Sequence, residues 1–261
     1  MKKYLLLTTF LSQTAFGVGI STGPNNVYIE QIGTSNTINV EQVGGTNTVG
    51  GTSGTISVDS AGVTSVTPVA ASALNYGTVT GSSNILNITQ HGNNDWAQYN
   101  ILGGNNMYTS TITGSSNQTS LTVGSQGNPS NNYNTITELI TGDSNLSLQN
   151  LIGNYITSFL SASGNFNQVT QNITSTSGIA GSSDNSTINI SGNSNIINTQ
   201  QNDVGVHSLV ENITGSSNVI YTQQQGANNT NVNILTQGDF NTVTVRTSSA
   251  TIVSPQSAIA R

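Results

Sequence analysis

The chain of 261 residues contains no cysteine, and only 5% of its residues are charged and 5% aromatic. Without cysteine it forms no disulfide and no thiolate metal site. An ordinary globular domain has about 25% charged residues, and here their place is taken by Asn, Thr, Ser and Gly with Ile and Val between them. Such a chain cannot build a thick core of Leu and Phe. Low charge, β-branched residues and only four prolines favour strands that stack on one another.

The first residues, 1–17, have the pattern of a secretory leader. Two lysines precede an apolar run from Tyr4 to Leu11, which is too short to span a bilayer. Ala15 and Gly17 are the small residues that a cleavage site requires. The alternative is an N-terminal strand or helix that stays in the mature protein.

Basic residues are scarce, since Lys and Arg together number four against ten acidic residues. Loss of the leader would leave only Arg246 and Arg261. Phosphate binding needs a basic stripe, so we expect neither nucleic acid nor an anionic lipid surface as a partner. No later segment is long and apolar enough to predict a membrane span.

A Gly-x-x-Asn tetrapeptide recurs along the chain, in many places at intervals of eleven residues. Gly together with Asn, Ser or Asp predicts a tight turn, because these residues tolerate a positive φ or cap their own backbone. The glycines predicted at turns are Gly33, Gly44, Gly81, Gly92, Gly103, Gly114, Gly142, Gly153, Gly164, Gly192, Gly215, Gly226 and Gly238.

A short alternating segment follows each turn, most clearly from Asn36 to Gln42. Period-two alternation predicts a strand, and an inward Asn36 would place Ile38, Val40 and Gln42 in the interior as well. Each unit of about eleven residues is then one strand and one turn. The sequence therefore predicts an all-β fold, a β-solenoid with two strands in each coil of about 22 residues.

The repeat is interrupted at residues 50–80, which contain no Gly-x-x-Asn unit and predict an inserted loop. Segments 124–134 and 174–184 are predicted to be longer turns. The predicted organisation is a leader at 1–17, first solenoid repeats at 18–49, the insert at 50–80, the main β-solenoid at 81–248 and a C-terminal tail at 249–261.

The spacing Gln31-x-Gly33-x-x-Asn36-x-x-x-x-x-Gln42-x-Gly44 resembles the curlin repeat of bacterial curli fibres, which carries Gln-x-Gly-x-x-Asn-x-Ala-x-x-x-Gln in tandem units. The resemblance covers most of residues 23–248. It implies a secreted β-solenoid amyloid subunit that polymerises at the cell surface, in biofilm and adhesion. The ladder residues that it implies, whose amides bond from coil to coil, are Asn36, Gln42, Asn84, Gln90, Asn195, Gln201, Asn218 and Gln224.

The chain also departs from the curlin pattern. Ile112, Val123 and Leu151 stand where the family has its second Gln, and the insert has no place in the simplest family pattern. A divergent member such as a minor subunit, or a virion fibre protein, fits these departures.

An enzyme on the same scaffold would need two carboxyl groups about 5–9 Å apart, as in glycoside hydrolysis. The carboxyls are scattered singly, and stacking offers Asp143 with Asp184 as a candidate pair. His91 and His207 lack the neighbouring His or Cys that a metal site requires. We therefore expect no enzyme, no metal and no cofactor. The carboxyls considered are Asp95, Glu138, Asp143, Asp184, Asp203, Glu211 and Asp239.

A binding module is the alternative function, with the insert and the region of Trp96 turned toward a surface glycan or a host, on a virion for example. Trp96, Tyr99 and Tyr108 are the candidate patch for stacking on sugar rings, and Trp96 faces outward if Asp95 faces inward. A lone aromatic residue that covers a sheet edge is the simpler explanation of Trp96.

Ice binding is a further alternative function, because some faces of the predicted solenoid are rich in threonine. That function would need Thr-x-Thr at the same place in every coil. The segments Thr109 to Thr111 and Thr135 to Thr137 are predicted to lie out of register, which disfavours it.

We therefore expect a structural protein, secreted to the cell surface or the extracellular space. Its open end coils would pair with another copy or with a related solenoid subunit, since no terminal segment resembles a polar cap.

Overall fold

The structure is a computed structural model and describes residues 25–27, 29–50, 54–58, 64–68, 77–124, 132–175, 185–203, 207–225, 230–248 and 256–259. These residues form strands and turns, and no helix occurs among them. The predicted leader at 1–17 lies outside the described residues.

The described strands follow one another closely along the chain. In chain order they are β1 (Asn26–Val27), β2 (Ile29–Ile32), β3 (Thr37–Val43), β4 (Thr48–Val49), β5 (Gly54–Val58), β6 (Thr64–Pro68), β7 (Gly77–Thr80), β8 (Ile85–Asn93), β9 (Trp96–Leu102), β10 (Met107–Ser115), β11 (Gln118–Val123), β12 (Thr135–Thr141), β13 (Leu146–Ile152), β14 (Thr157–Ser163), β15 (Gln168–Ser175), β16 (Asn185–Ser191), β17 (Ile196–Asp203), β18 (His207–Thr214), β19 (Val219–Gln225), β20 (Thr230–Gln237), β21 (Thr242–Ser248) and β22 (Gln256–Ile259).

Two parallel sheets contain all of these strands except β5 and β6. Sheet 1 has the order β1-β4-β9-β11-β13-β15-β17-β19-β21, with β2 and β7 joined beside the first strands, and sheet 2 has the order β3-β8-β10-β12-β14-β16-β18-β20-β22. The chain alternates between the sheets, so one strand of each makes a coil. The predicted all-β, two-sheet β-solenoid is confirmed.

Coil length follows from the register of neighbouring strands. Asn106 lies 22 residues beyond its ladder partner Asn84, Asn134 lies 28 beyond Asn106, and Asn218 lies 23 beyond Asn195. We call the side where the chain passes from sheet 2 to sheet 1 the tight edge, and the opposite side the loop edge. The extra residues of the longer coils enter at the loop edge, between β11 and β12 and between β15 and β16.

The predicted insert interrupts a strand of sheet 1. β9 pairs at its start with β4 and at its end with β7, so β4 and β7 are two halves of one strand position. Within the intervening residues, β5 and β6 form an antiparallel hairpin. Gly77–Thr80, which the sequence places in the insert, belongs to the solenoid: Val79 is fully buried, and a Cβ on Gly77 would lie 3.0 Å from the Tyr99 ring.

The core is one layer of inward side chains between the sheets. Along β8, for example, Leu86, Ile88 and Gln90 are buried and alternate with more exposed residues. Because inward positions repeat at every second residue, the interior consists of columns in which side chains stack coil upon coil.

Candidate functional site: the axial amide ladders

The tight turns bring glycine close to the next coil. At Gly142, φ is 117°, and a Cβ would lie 2.1 Å from the carbonyl oxygen of Gly164. The described members of the predicted set all have positive φ, and Gly226 lies outside the described residues. They are Gly33, Gly44, Gly81, Gly92, Gly103, Gly114, Gly142, Gly153, Gly164, Gly192, Gly215 and Gly238.

Each turn ends on an inward residue, usually Asn, whose side chain bonds along the solenoid axis. Asn145 Oδ1 accepts from the backbone N and from Nδ2 of Asn167, at 3.0 and 3.1 Å. Asn145 Nδ2 donates to Asn117 Oδ1 and to the carbonyl of Gly164, at 3.1 and 2.8 Å. The buried amide is therefore fully hydrogen-bonded, which avoids a penalty of about 1–3 kcal/mol for each unpaired group.

This pattern makes two ladders at opposite edges. The ladder of the tight edge runs through nine consecutive coils and consists of Asn25, Asn47, Asp95, Asn117, Asn145, Asn167, Asn195, Asn218 and Asn241. The ladder of the loop edge consists of Asn36, Asn84, Asn106 and Asn134, and the next position is Ile156.

The residues implied by the curlin resemblance are thus divided between the ladders. Asn36 and Asn84 lie at the loop edge, whereas Asn195 and Asn218 lie at the tight edge. Most of the other members lack the Gln that the curlin spacing has six residues after the Asn, so the resemblance does not mark them. The recurring Gly-x-x-Asn signal alone would have identified Asn47, Asn106, Asn117, Asn145 and Asn167.

The glutamine ladders have two members each. Gln42 Nε2 donates to Gln90 Oε1 at 2.8 Å, and Gln201 Nε2 donates to Gln224 Oε1 at 2.9 Å. Beyond Gln90 the column continues with Ile112. Isoleucine cannot extend an amide ladder, so the Asn ladder of the tight edge provides the continuous axial bonding.

One carboxyl occupies the Asn ladder, at Asp95. Its Oδ1 accepts from the backbone N and from Nδ2 of Asn117 at 2.9 and 3.0 Å, while Oδ2 is buried without a partner. Burial raises the pKa of Asp95 to about 6, against the opposing effect of the hydrogen bonds from Asn117. A protonated Asp95 has the shape and the donor of an asparagine side chain.

Two other carboxyls are buried between the sheets. Glu138 accepts from Tyr108 Oη, Ser110 Oγ and Gln149 Nε2, at 2.9, 3.0 and 3.2 Å. Glu211 Oε1 accepts from Thr199 Oγ1 at 3.0 Å, and Glu211 Oε2 has no partner. Burial raises the pKa of Glu211 to about 7.

Glu138 and Glu211, the two carboxyls buried between the sheets, do not fit the spacing of a glycosidase. Glu138 and Glu211 are three strands apart in sheet 2, about 14 Å at the usual strand spacing, and both are sealed in the core. Asp143 and Asp239 lie in turns four coils apart. Asp184 lies outside the described residues, so its predicted pairing with Asp143 stays a prediction, and the side chain of Asp203 is likewise not described.

The described residues contain no cluster of three His, Cys, Asp or Glu side chains that could hold a metal. His91 Nε2 lies 3.3 Å from Glu41 Oε1 on the exposed face of sheet 2. His207 begins β18, and its side chain is not described. No helix of the described chain is long and apolar enough to cross a membrane.

The predicted aromatic patch does not form. Trp96 is half-buried on the outward face of β9, as expected from an inward Asp95. Tyr99 and Tyr108 point into the core and are 0% and 2% exposed, because inward parity places them in the same layer as Asp95 and Asn106. No sugar ring can stack on all three.

The two Thr-x-Thr segments lie out of register by two residues, as predicted. Thr109 lies opposite Thr137, because the chain between β10 and β12 adds six residues to the ordinary coil. Thr111 lies opposite Leu139, and Thr135 opposite Met107. The outward face therefore carries no uninterrupted Thr-x-Thr array across these two strands.

The solenoid ends flush in both sheets. Since β1 with β2 and β4 with β7 each fill one strand position, sheet 1 has nine levels among the described residues, as does sheet 2. At the C-terminal end β21 pairs, within the described chain, with β19 alone, and β22 from the predicted tail pairs with β20. A further copy would meet a strand of each sheet at either end.

Comparison of the chain with protein-family models, curated proteins and solved structures found no match.

Proposed function

We propose that this protein is an extracellular structural subunit that stacks head to tail into a curlin-like fibre, in biofilm or surface attachment. The observation that carries the proposal is the Asn ladder of the tight edge, which passes through every coil from Asn25 to Asn241. A ladder that spans the whole solenoid has the same chemistry at both ends, so one copy is a template for the next.

The backbone supports the same direction of growth. In each coil the residue after the ladder position donates its N–H forward, as Ile196 does to the Asn218 carbonyl and Val219 to the Asn241 carbonyl, both at 2.8 Å. In β21 the corresponding donors are Thr242, Thr244 and Arg246. They face the outer edge of sheet 1, where a second copy offers the carbonyls of its first strand.

The side chains of the end coils are matched as well. With Asn25 of a second copy placed over Asn241, Val27 lies over Val243 and Ile29 over Val245. The contact would repeat the packing and hydrogen bonds that join successive coils within one chain.

The experiment is fibre formation by residues 18–261 at neutral pH, followed by Thioflavin T fluorescence and electron microscopy. We expect fibres and a dye response. Thr244→Pro removes a forward N–H at the edge without removing a hydrogen bond inside the chain, so it should block elongation, whereas Thr244→Ala should not.

Two outcomes would contradict the proposal. One is a persistently monomeric protein without a dye response. The other is a monodisperse monomer or trimer that binds polysaccharide, which would favour the glycan-binding module instead.

A further inference from the structure

The described chain contains a single Lys or Arg residue, Arg246. It lies exposed on the outward face of β21, the last level of sheet 1. Glu30 lies exposed on the outward face of β2, in the first level of the same sheet. The two charges therefore lie at opposite ends of one face of the solenoid.

Strand register places both residues in the same column. Glu30 pairs with Thr78 and Gln223 pairs with Arg246. Every residue between them in the column is uncharged: Thr78, Asn100, Thr122, Asn150, Asn172, Gln200 and Gln223. A column with a carboxylate at its start and a guanidinium at its end is self-complementary when copies stack head to tail.

The charge pair and the amide ladder select the same register. Glu30 follows Asn25 by five residues, and Arg246 follows Asn241 by five residues. Continuing the ladder from Asn241 into Asn25 of a second copy therefore sets Glu30 of that copy beside Arg246, one strand spacing of about 4.8 Å away. A slip of two residues would break both matches, and a slip of one would turn every side chain to the wrong face.

We propose that Arg246 of one copy pairs with Glu30 of the next, and that this ion pair fixes the polarity and register of assembly. The inference rests on the proposed head-to-tail fibre. A head-to-head contact would bring together two end coils that each carry Arg246, and a tail-to-tail contact would bring together two that each carry Glu30. An exposed ion pair adds little to the affinity between copies. Complementary charges nevertheless raise the rate at which copies associate, and like charges disfavour contacts in the wrong orientation.

The other charges at the ends have partners in their own chain. Glu41, in the first strand of sheet 2, contacts His91, and its column ends in Leu235 and then Ser257 of β22, both uncharged. Asp239, in the last tight turn, accepts from the Ser216 backbone N at 2.6 Å. Among the residues that the structure describes in the end coils, Glu30 and Arg246 are thus the charges left to act between copies.

The test is a charge-reversal exchange in the leaderless protein at low ionic strength. Glu30→Arg and Arg246→Glu alone should each slow seeded elongation about tenfold, because each variant carries like charges at its two ends. Their equimolar mixture should elongate nearly as fast as the wild type, since every contact between unlike variants is complementary. The double variant should also recover, and added salt should reduce all differences.

Glu41→Arg is the matched control, because it reverses an exposed charge of the same end coil that faces no charge in the next copy. It should elongate within about twofold of the wild type. Circular dichroism of each variant verifies that the solenoid folds. Single variants that elongate at the wild-type rate, or a mixture as slow as its components, would contradict the proposed ion pair. Neither result would contradict the proposed fibre. A wild type that forms no fibres would overturn both.

Discussion

Glu138 and Glu211 occupy the same inward column of sheet 2, separated by Leu160 and Ile188. Three side chains donate hydrogen bonds to Glu138, from Tyr108, Ser110 and Gln149, whereas Glu211 accepts from Thr199 and has an unpartnered Oε2. Glu138 therefore has more hydrogen-bond donors around it than Glu211 has. The burial of Glu211 gives the C-terminal half of the solenoid a pH dependence of its own.

The Glu211→Gln variant tests that dependence. The pKa of Glu211 is raised by burial from 4.5 to about 7, so the folded state holds the proton more tightly than the unfolded state. The protonated Glu211 carboxyl makes its full contribution to the free energy of unfolding below pH 4.5. That contribution is lost as pH rises through 7, and the free energy of unfolding falls by up to ~3 kcal/mol. Glu211→Gln should therefore stabilise the protein at pH 9 and change little at pH 4, in urea unfolding monitored by circular dichroism.

Glu138→Gln is the control for this prediction. It replaces an acceptor of three hydrogen bonds with an amide that competes as a donor, so it should destabilise at pH 9, by about 1–3 kcal/mol. Equal gains from both substitutions at pH 9 would contradict the distinction between the two sites.

Asp95→Asn should complete the ladder of the tight edge. The pKa of Asp95 is raised to about 6 by burial, so the stability that the neutral carboxyl contributes falls as pH rises from 3.8 through 6. The substitution supplies a permanent donor toward Gly114, as Asn117 Nδ2 supplies toward Gly142 at 2.8 Å. We expect a gain of about 1–2 kcal/mol at pH 8, allowing for solvent screening, and little gain at pH 4. A pH-independent effect in thermal unfolding would refute this account of Asp95.

Gly142→Ala should be severely destabilising. Its Cβ would lie 2.1 Å from the Gly164 carbonyl oxygen, at a φ of 117°, and the coil would have to separate from its neighbour. We expect a loss of more than ~3 kcal/mol. The matched control is Ser144→Gly in the same turn, where φ is 57° and glycine relieves strain, so stability should be unchanged or slightly raised. Similar losses from both would show that the turn is not limited by this close approach.

Phe240→Gly should stabilise the monomer. Phe240 has φ 58° and is 81% exposed, so it bears the cost of a left-handed backbone with little apolar burial in return. Tyr133 and Tyr155, at equivalent turn positions, offset that cost by stacking with ring centroids 5.3 Å apart. Glycine has no Cβ to clash in this conformation, and we expect a gain of about 1 kcal/mol in the free energy of unfolding. Phe240→Ala keeps the Cβ and is the matched control, measured by the unfolding midpoint; an equal gain from both variants would exclude strain as the cause.

The alternation after Asn36 predicted strands and inward columns, since period-two patterning depends on local chain geometry alone. The interruption of a sheet 1 strand between Val49 and Gly77 was not predicted. Half a strand is too short to show an eleven-residue repeat, and β7 is recognised only by its pairing with β9.

The sequence predicted which type of residue forms the ladders, but not which ladder each residue joins. Gly-x-x-Asn marks a ladder position, but the assignment of Asn84 and Asn195 to different edges depends on counting every intervening turn. Coils of 28 residues disturb that count. Glu211 gave no sequence signal of burial beyond its inward parity with Leu209 and Ile213.

The most direct test of the central claim is the axial repeat of fibres grown from residues 18–261, measured by cryo-electron microscopy. Nine levels at about 4.8 Å predict a subunit repeat of about 43 Å, with strands perpendicular to the fibre axis and the ladder unbroken from Asn241 to Asn25 of the next copy. Fibres with another subunit repeat, or with the tight edge discontinuous at each junction, would contradict head-to-tail stacking of intact coils.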